Sequence, residues 1–274
     1  MSDVNNSKVG IFDSGFGGLT VLRAIADLMP QETLVYFGDS ARYPYGPKPK
    51  ADVTRFSIEI ADYLVERHAI KVLVVACNTA SAFALPELSD RYQIPVIGMI
   101  EPGARALALS SVGERIGVIG TVGTISSGAY QTKLAELAPK KRLVCAATPG
   151  FVEFVERGET ESDQLTVLAE RLLRPIVEAK VQSLLLGCTH YPFLARAISR
   201  VVGAETILVS SAEETAFKVR AELIGRGLEA RVLDAPITTY ITSGDATEFR
   251  RVGQNLLGID LCEIETHSWR AGRR

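Results

Sequence analysis

Val72-Leu73-Val74-Val75-Ala76-Cys77-Asn78-Thr79 and Ser183-Leu184-Leu185-Leu186-Gly187-Cys188-Thr189-His190 are two versions of one phrase. Each is an apolar run, a small residue, a cysteine, and then polar residues. A run with no polar face reads as a strand of a parallel sheet covered on both sides. A second echo precedes each phrase, because Lys8-Val-Gly-Ile-Phe-Asp13 resembles Arg115-Ile-Gly-Val-Ile-Gly120. Matching Gly10 with Gly117 gives an offset of 107, and matching Cys77 with Cys188 gives 111. Nearly equal offsets at separate places point to an internal duplication with small insertions. In open α/β sheets ligands bind beyond the carboxyl ends of the strands. Two facing copies would therefore set Cys77 and Cys188 on opposite walls of one cleft.

Working outward, strands alternate with helical segments. Strands are expected at 9–12, 33–37, 72–76 and 96–97, with helices at 19–29, 52–68 and 80–89. The second copy supplies strands at 115–120, 143–147 and 183–186 and a helix at 163–179. The chain then returns to βα elements, with strands at 206–209 and 238–242 and helices at 212–224 and 246–257. Ser211-Ala-Glu-Glu214 reads as a capping box for the first of these. The expected fold is α/β, with residues 1–97 and 209–274 forming a first domain and 98–208 a second.

The 274 residues suit two domains. Apolar residues at 47%, charged residues at 23% and a formal net charge of −2 fit an ordinary folded protein and argue against a nucleic-acid surface. Met1–Lys8 is polar, so no secretory signal is expected, and the apolar runs are far shorter than a membrane span. Arg270, Arg273 and Arg274 read as a basic tail. The four cysteines are widely spaced with no CxxC pair, which favours reduced thiols in a cytoplasm over disulfides or a zinc ribbon.

The chemistry-bearing segments all sit at expected strand ends. Asp13-Ser14-Gly15-Phe16-Gly17-Gly18 opens a helix; its glycines allow close backbone approach, and amides at the helix start favour an anion. Its spacing is neither a dinucleotide fingerprint nor a P-loop, so it reads as a carboxylate site or simply as a Gly-rich turn with Asp13 as a cap. Cys77 and Cys188 are the sharper signal, although a lone cysteine at a strand end is usually core. A free thiol is only a few per cent thiolate at neutral pH, and a helix N-terminus or an imidazole raises that fraction. His190 lies two residues past Cys188. His68 and His267 receive no role, and Cys145 and Cys262 are read as packing. Pro44-Tyr45-Gly46-Pro47 is a rigid loop near the same mouth, and Asp39 ends the preceding strand. Glu156 lies in a helical segment with Glu153 close by. One thiol on each face of a substrate is what proton exchange at a stereocentre requires. A redox or metal-binding thiol protein and a non-catalytic anion-binding module are the other classes.

Asp-Ser-Gly-x-Gly-Gly, Pro-Tyr-Gly, Ala-Cys-Asn-Thr-Ala, Gly-Cys-Thr-His-Tyr-Pro and Ser210-Ser-Ala-Glu-Glu-Thr215, taken in order, resemble the glutamate racemases of the aspartate/glutamate racemase superfamily. The resemblance runs over nearly the whole chain. Ala147-Thr148-Pro149-Gly150 departs from the family's usual Cys-Pro-x-Phe. The resemblance implies two pseudo-symmetric α/β domains and cofactor-independent, metal-free interconversion of L- and D-glutamate for peptidoglycan. It makes Cys77 and Cys188 the proton carriers, Cys77 for the D- and Cys188 for the L-enantiomer. Asp13, Ser14, Tyr45, Gly46, Asn78, Thr79, Thr189 and His190 would bind substrate, and Asp39 is grouped with them. Asp13, His190 and Glu156 would assist the cysteines, with Glu153 as the alternative carboxylate. A cytoplasmic homodimer needing neither nucleic acid nor membrane is expected.

Overall fold

The computed structural model describes residues 4–111, 113–230, 236–258, 261 and 263–269. Cys262 and the basic tail lie outside these residues. In chain order the elements are β1 (Val9–Asp13), α1 (Leu19–Leu28), β2 (Leu34–Gly38), α2 (Lys50–His68), β3 (Val72–Val75), α3 (Asn78–Arg91), β4 (Val96–Gly98) and α4 (Ile100–Ser110). Next come β5 (Arg115–Gly120), α5 (Val122–Ser126), α6 (Ala129–Leu137), β6 (Arg142–Ala147), α7 (Phe151–Glu156), α8 (Asp163–Glu178), β7 (Ser183–Gly187), α9 (Ala195–Val202) and β8 (Ile207–Val209). The chain closes with α10 (Ala212–Arg226), β9 (Thr238–Thr242), α11 (Ala246–Leu257) and β10 (Ile264–Thr266).

The strands form two parallel sheets, one ordered β10-β9-β2-β1-β3-β4 and the other β6-β5-β7-β8. The run β2-β1-β3-β4 in the first is repeated strand for strand in the second. The duplication read from Gly10/Gly117 and Cys77/Cys188 is therefore a duplication of topology. Strands β1, β3, β5 and β7 are the central ones, and nearly every residue in them is buried. Such strands have no solvated face to alternate toward, which explains their unbroken apolar runs.

Each sheet carries a core on both faces. In the first, Val9, Ile11 and Val74 pack toward α1 and α10, while Phe12, Val35 and Val75 pack toward α2 and α3. In the second, Leu184 and Leu186 face α8 and α9, while Val118 and Leu185 face α4 and α6. Helix α8 has apolar residues Leu165, Ala169, Leu173 and Ile176 on one face, and it is capped by Ser162, whose hydroxyl accepts from the Leu165 amide at 3.3 Å. Among the described residues no helix is long and apolar enough to cross a membrane.

One expectation fails here. The capping box at Ser211 does not form: its side chain makes no cap hydrogen bond to α10, and the Ala212 amide is taken by the Ser210 hydroxyl at 3.2 Å. The neighbouring Ser210 hydroxyl already satisfies the first amide of the helix, so Ser211 is not required as its cap. His267, given no role from the sequence, packs within an aromatic cluster, 4.3 Å from the Tyr63 ring and 4.5 Å from the Trp269 ring.

Candidate active site

Strands β1, β3, β5 and β7 end at the junction of the two sheets. A cavity of about 80 Å³ lies there, room for several waters at ~10–15 Å³ each. Ser14, Tyr45, Gly46, Cys77, Asn78, Thr79, Cys188, Thr189 and His190 line it. Asp13, Asp39 and Glu156 stand one layer behind and touch the lining residues. Glu153, by contrast, reaches the cavity wall. No lysine or arginine is among the lining residues.

Cys77 follows β3 and is the N-cap of α3. The Ala80 amide donates to its sulfur at 3.5 Å, and Ser14 Oγ lies 3.7 Å away. Both pull the thiol pKa down, but burial above all, and the Asp13 charge after it, push it up to about 12. Cys77 therefore holds its proton at neutral pH. Cys188 follows β7 and has a different companion, His190, whose Nδ1 is 3.9 Å from its sulfur. On its other side His190 Nε2 meets Glu156 Oε1 at 3.2 Å. Burial alone would keep this imidazole neutral. Its contacts with Cys188 and Glu156, and the Asp13 charge, outweigh burial and push its pKa up to about 10. The resting site is thus asymmetric, with a proton on one sulfur and a cation beside the other. Cys77, Cys145 and Cys188 are all free thiols.

Asp13 is fully buried, and burial raises its pKa despite the nearby His190 cation. Its Oδ1 accepts from the Gly15 amide at 2.8 Å, while Thr189 Oγ1 lies 3.5 Å from its Oδ2. Gly15, Gly17 and Gly18 of the Asp13–Gly18 turn are buried, and its glycines serve close packing. A Cβ on Gly17 would sit 2.4 Å from both His190 Nδ1 and Thr189 Oγ1. The first cysteine's half therefore presses its Gly-rich turn against the second cysteine's flank.

Other contacts cross between the halves. Thr79 Oγ1 meets Thr121 Oγ1 at 2.8 Å and Thr124 Oγ1 at 3.2 Å. Asn78 Nδ2 donates to the Tyr130 hydroxyl at 2.8 Å, leaving Asn78 Oδ1 buried without a partner. The Gly123 amide donates to the Gly46 carbonyl at 2.8 Å. Close approach is required at this point too, since a Cβ on Gly46 would lie 2.8 Å from Thr121 Cβ.

Sequence reasoning missed several cavity residues, among them Tyr43, Thr121, Thr148 and Val152. Thr121 carried a signal: it stands 107 residues after Ser14, the offset of the repeat, so each copy contributes a hydroxyl just past its first strand. Thr148 lies on the β6–α7 connection and Val152 in the first turn of α7, where neither residue type marks a site.

This fold, with a thiol from each half in one small cavity, is that of a racemase. The chain belongs to the Asp/Glu/Hydantoin racemase family, whose model matches residues 19–216. It is 46% identical over 265 residues to the glutamate racemase of Acidothermus cellulolyticus, covering 96% of this chain and 100% of that protein. A crystal structure of a glutamate racemase isoform from Bacillus anthracis superposes with a TM-score of 0.91 at 37% identity, covering 97% of this chain and 98% of the other. The glutamate racemase of Francisella tularensis, solved in complex with D-glutamate, superposes with a TM-score of 0.90 at 29% identity, covering 96% and 98%.

Proposed function

We propose that this chain interconverts L- and D-glutamate by two-base proton transfer between Cys77 and Cys188. The observation that carries the reading is that one thiol from each half lines the same small cavity. The relatives named above, one of them solved with D-glutamate, support glutamate as the substrate.

In the L-to-D direction Cys188, as thiolate beside the His190 cation, takes the Cα proton and becomes a thiol. The electron pair of the broken C–H bond delocalises into the α-carboxylate. Cys77 gives its proton to the opposite face of Cα and becomes a thiolate. The reverse reaction starts from that state, with Asp13 placed to relay protons near Cys77. Hydroxyls of Ser14, Thr79, Thr121 and Thr189 and backbone amides such as that of Gly46 are the donors available to the carboxylates. Preorganised donors at developing charge are worth about 3 kcal/mol each. The partnerless Asn78 Oδ1 is the acceptor left for the substrate ammonium. Asp39 acts behind the wall on Tyr45, and Glu156 acts through His190.

The cross-half hydrogen bonds must loosen to admit substrate. The reading therefore includes a hinge between residues 98–208 and the remainder, supported by the two separate sheets. Closure over substrate excludes water and strengthens the polar contacts. Supply of D-glutamate for peptidoglycan and a homodimeric assembly belong to the same reading, the latter checked by light scattering.

The test is incubation of wild type, Cys77→Ser and Cys188→Ser with each glutamate enantiomer in heavy water, with Cα–H exchange followed by NMR. Wild type should exchange and racemise both. Each substitution should slow racemisation by about 10²–10⁴-fold, the worth of a positioned acid or base. Undiminished racemisation in either variant overturns the two-thiol reaction. Exchange with aspartate in place of glutamate moves the substrate.

A further inference from the structure

Asp39, just past β2, is fully buried and gathers four side-chain donors, two from its own loop and two from more than 200 residues away. Arg42 Nε donates to its Oδ2 at 2.7 Å, and the Tyr45 hydroxyl shares that oxygen. Ser243 Oγ donates to Oδ1 at 2.7 Å, and Trp269 Nε1 donates to Oδ1 at 2.8 Å. The Arg42 guanidinium is sandwiched, 3.9 Å from the Trp269 ring centre and 4.1 Å from that of Phe56. Cation–π contacts at this range are strongest on tryptophan.

The C-terminal segment is itself anchored. Strand β10 extends the first sheet, and the His267 amide donates to the Thr242 carbonyl at 2.8 Å. From Trp269 a continuous path of contacts leads to the cavity. It runs through Asp39 to the Tyr45 hydroxyl, from Tyr45 to its neighbour Gly46, and from the Gly46 carbonyl across the cleft to the Gly123 amide. Tyr45 and Gly46 line the cavity, whereas Trp269 and Arg42 do not. Four donors on two carboxylate oxygens over-determine where Asp39 sits. Trp269 is partly buried and packs against the core of the first sheet, 5.5 Å from the Phe37 ring, so a test of its N–H must keep an aromatic ring in place.

We propose that Trp269 and Arg42 are positioning residues for the racemase site: through Asp39 they fix the Tyr45-Gly46 loop, so the C-terminal segment sets how tightly the cleft holds its substrate. The proposal rests on the racemase reading for its kinetic consequences but not for its structural one.

The test uses Trp269→Phe, which keeps an aromatic ring over Arg42 and removes the N–H, together with Tyr45→Phe and the double variant. Trp269→Phe should raise KM for glutamate about tenfold or more, as expected for one lost hydrogen bond to a charged acceptor, with kcat little changed. Because both changes act through one carboxylate, the double variant should be no worse than Tyr45→Phe alone. Multiplying effects, or a KM unchanged in Trp269→Phe, overturn the proposal. A readout without substrate runs beside these. In Trp269→Phe the Gly123 amide should exchange with solvent about tenfold faster, as a local opening does, while the Ala76 amide in the sheet keeps its rate. Equal acceleration of both amides, or of neither, overturns the latch. If wild type fails to racemise glutamate, the functional reading falls, and Gly123 exchange still decides the latch.

Discussion

Glu156→Gln is the most informative single change at the site. His190 is 3% exposed and Glu156 18%, so their contact at 3.2 Å is poorly screened. Glutamine keeps the length and a hydrogen-bonding oxygen but removes the negative charge that helps hold His190 protonated. A hydrogen bond to a charged group is worth about 1.5–3 kcal/mol, and each pKa unit is 1.36 kcal/mol, so the imidazole should fall by about one to two units. From a starting value of about 10, a fall of about 1.5 units lowers the protonated fraction at pH 9 from about nine-tenths to about a quarter. At pH 7 the fraction barely changes. The assay is a pH titration of the imidazole ring resonances by NMR, paired with the pH–rate profile for L-glutamate. The alkaline limb should move to lower pH by the same amount as the His190 midpoint, with the rate near pH 7 within a few-fold of wild type. An unmoved midpoint would refute the assignment of Glu156 as the carboxylate that charges His190. A moved midpoint with an unmoved rate limb would refute the use of the His190 cation in the reaction.

Gly17→Ala places a methyl 2.4 Å from His190 Nδ1 and Thr189 Oγ1; overpacking of this kind costs about 1–3 kcal/mol, so racemisation should drop at least about tenfold while circular dichroism stays native. Full activity would mean that the turn and the Cys188 flank do not meet as described. Lys71 and Glu32 form a fully buried pair at 2.6 Å, and Lys71→Met leaves the carboxylate uncompensated, a loss of about 3–5 kcal/mol to be measured by urea unfolding. Alkaline pH should erode stability in two steps. The folded pKa of His190 is raised from 6.5 to about 10, so its contribution is complete below 6.5 and is lost as pH climbs through about 10. That of Cys77 is raised from 9.0 to about 12, so its contribution is complete below 9.0 and is lost on the way to about 12. Thermal melts of His190→Asn should lose the first step and keep the second.

The duplicated half is legible in the sequence because its central strands are buried on both faces and must be continuously apolar. The sites at their ends are legible because the residues that follow them are chemically unusual for a core. Helix α4 is hidden because Glu101-Pro102-Gly103 looks like a turn. Yet proline is tolerated in a helix's first turn, and Gly103 lets the helix approach Ser211 and Tyr130, each 3.0 Å from where its Cβ would be. Strand β10 is hidden because Ile264-Glu265-Thr266 is a short edge strand with two exposed residues, defined by its partner β9 rather than by its own pattern. Asp39 was legible as a strand-end carboxylate. Its donors Ser243 and Trp269 were not, because they come from more than 200 residues away and only the packed sheet unites them.

Duplication explains why two sulfurs share one cavity, and divergence explains how they differ. The offset of 111 pairs Cys77 with Cys188, Asn78 with Thr189 and Thr79 with His190. One copy therefore carries an imidazole where the other carries a hydroxyl that bonds Thr121 and Thr124. L- and D-glutamate have equal free energies, so their interconversion has an equilibrium constant of unity, and kcat/KM must be the same in both directions whatever the site does. Each enantiomer needs the opposite arrangement of the single proton on the sulfur pair. An enantiomer that needs the scarcer arrangement binds with an apparent constant weakened by that scarcity. The asymmetry around His190 must then appear as unequal KM values for the two enantiomers, matched by kcat values in the same ratio. Steady-state progress curves followed by circular dichroism from each enantiomer measure all four constants. Equal KM values across the range from pH 7 to the His190 midpoint at about 10 would show that the two thiols are equivalent, and the divergence at Thr79 and His190 would then have no kinetic consequence.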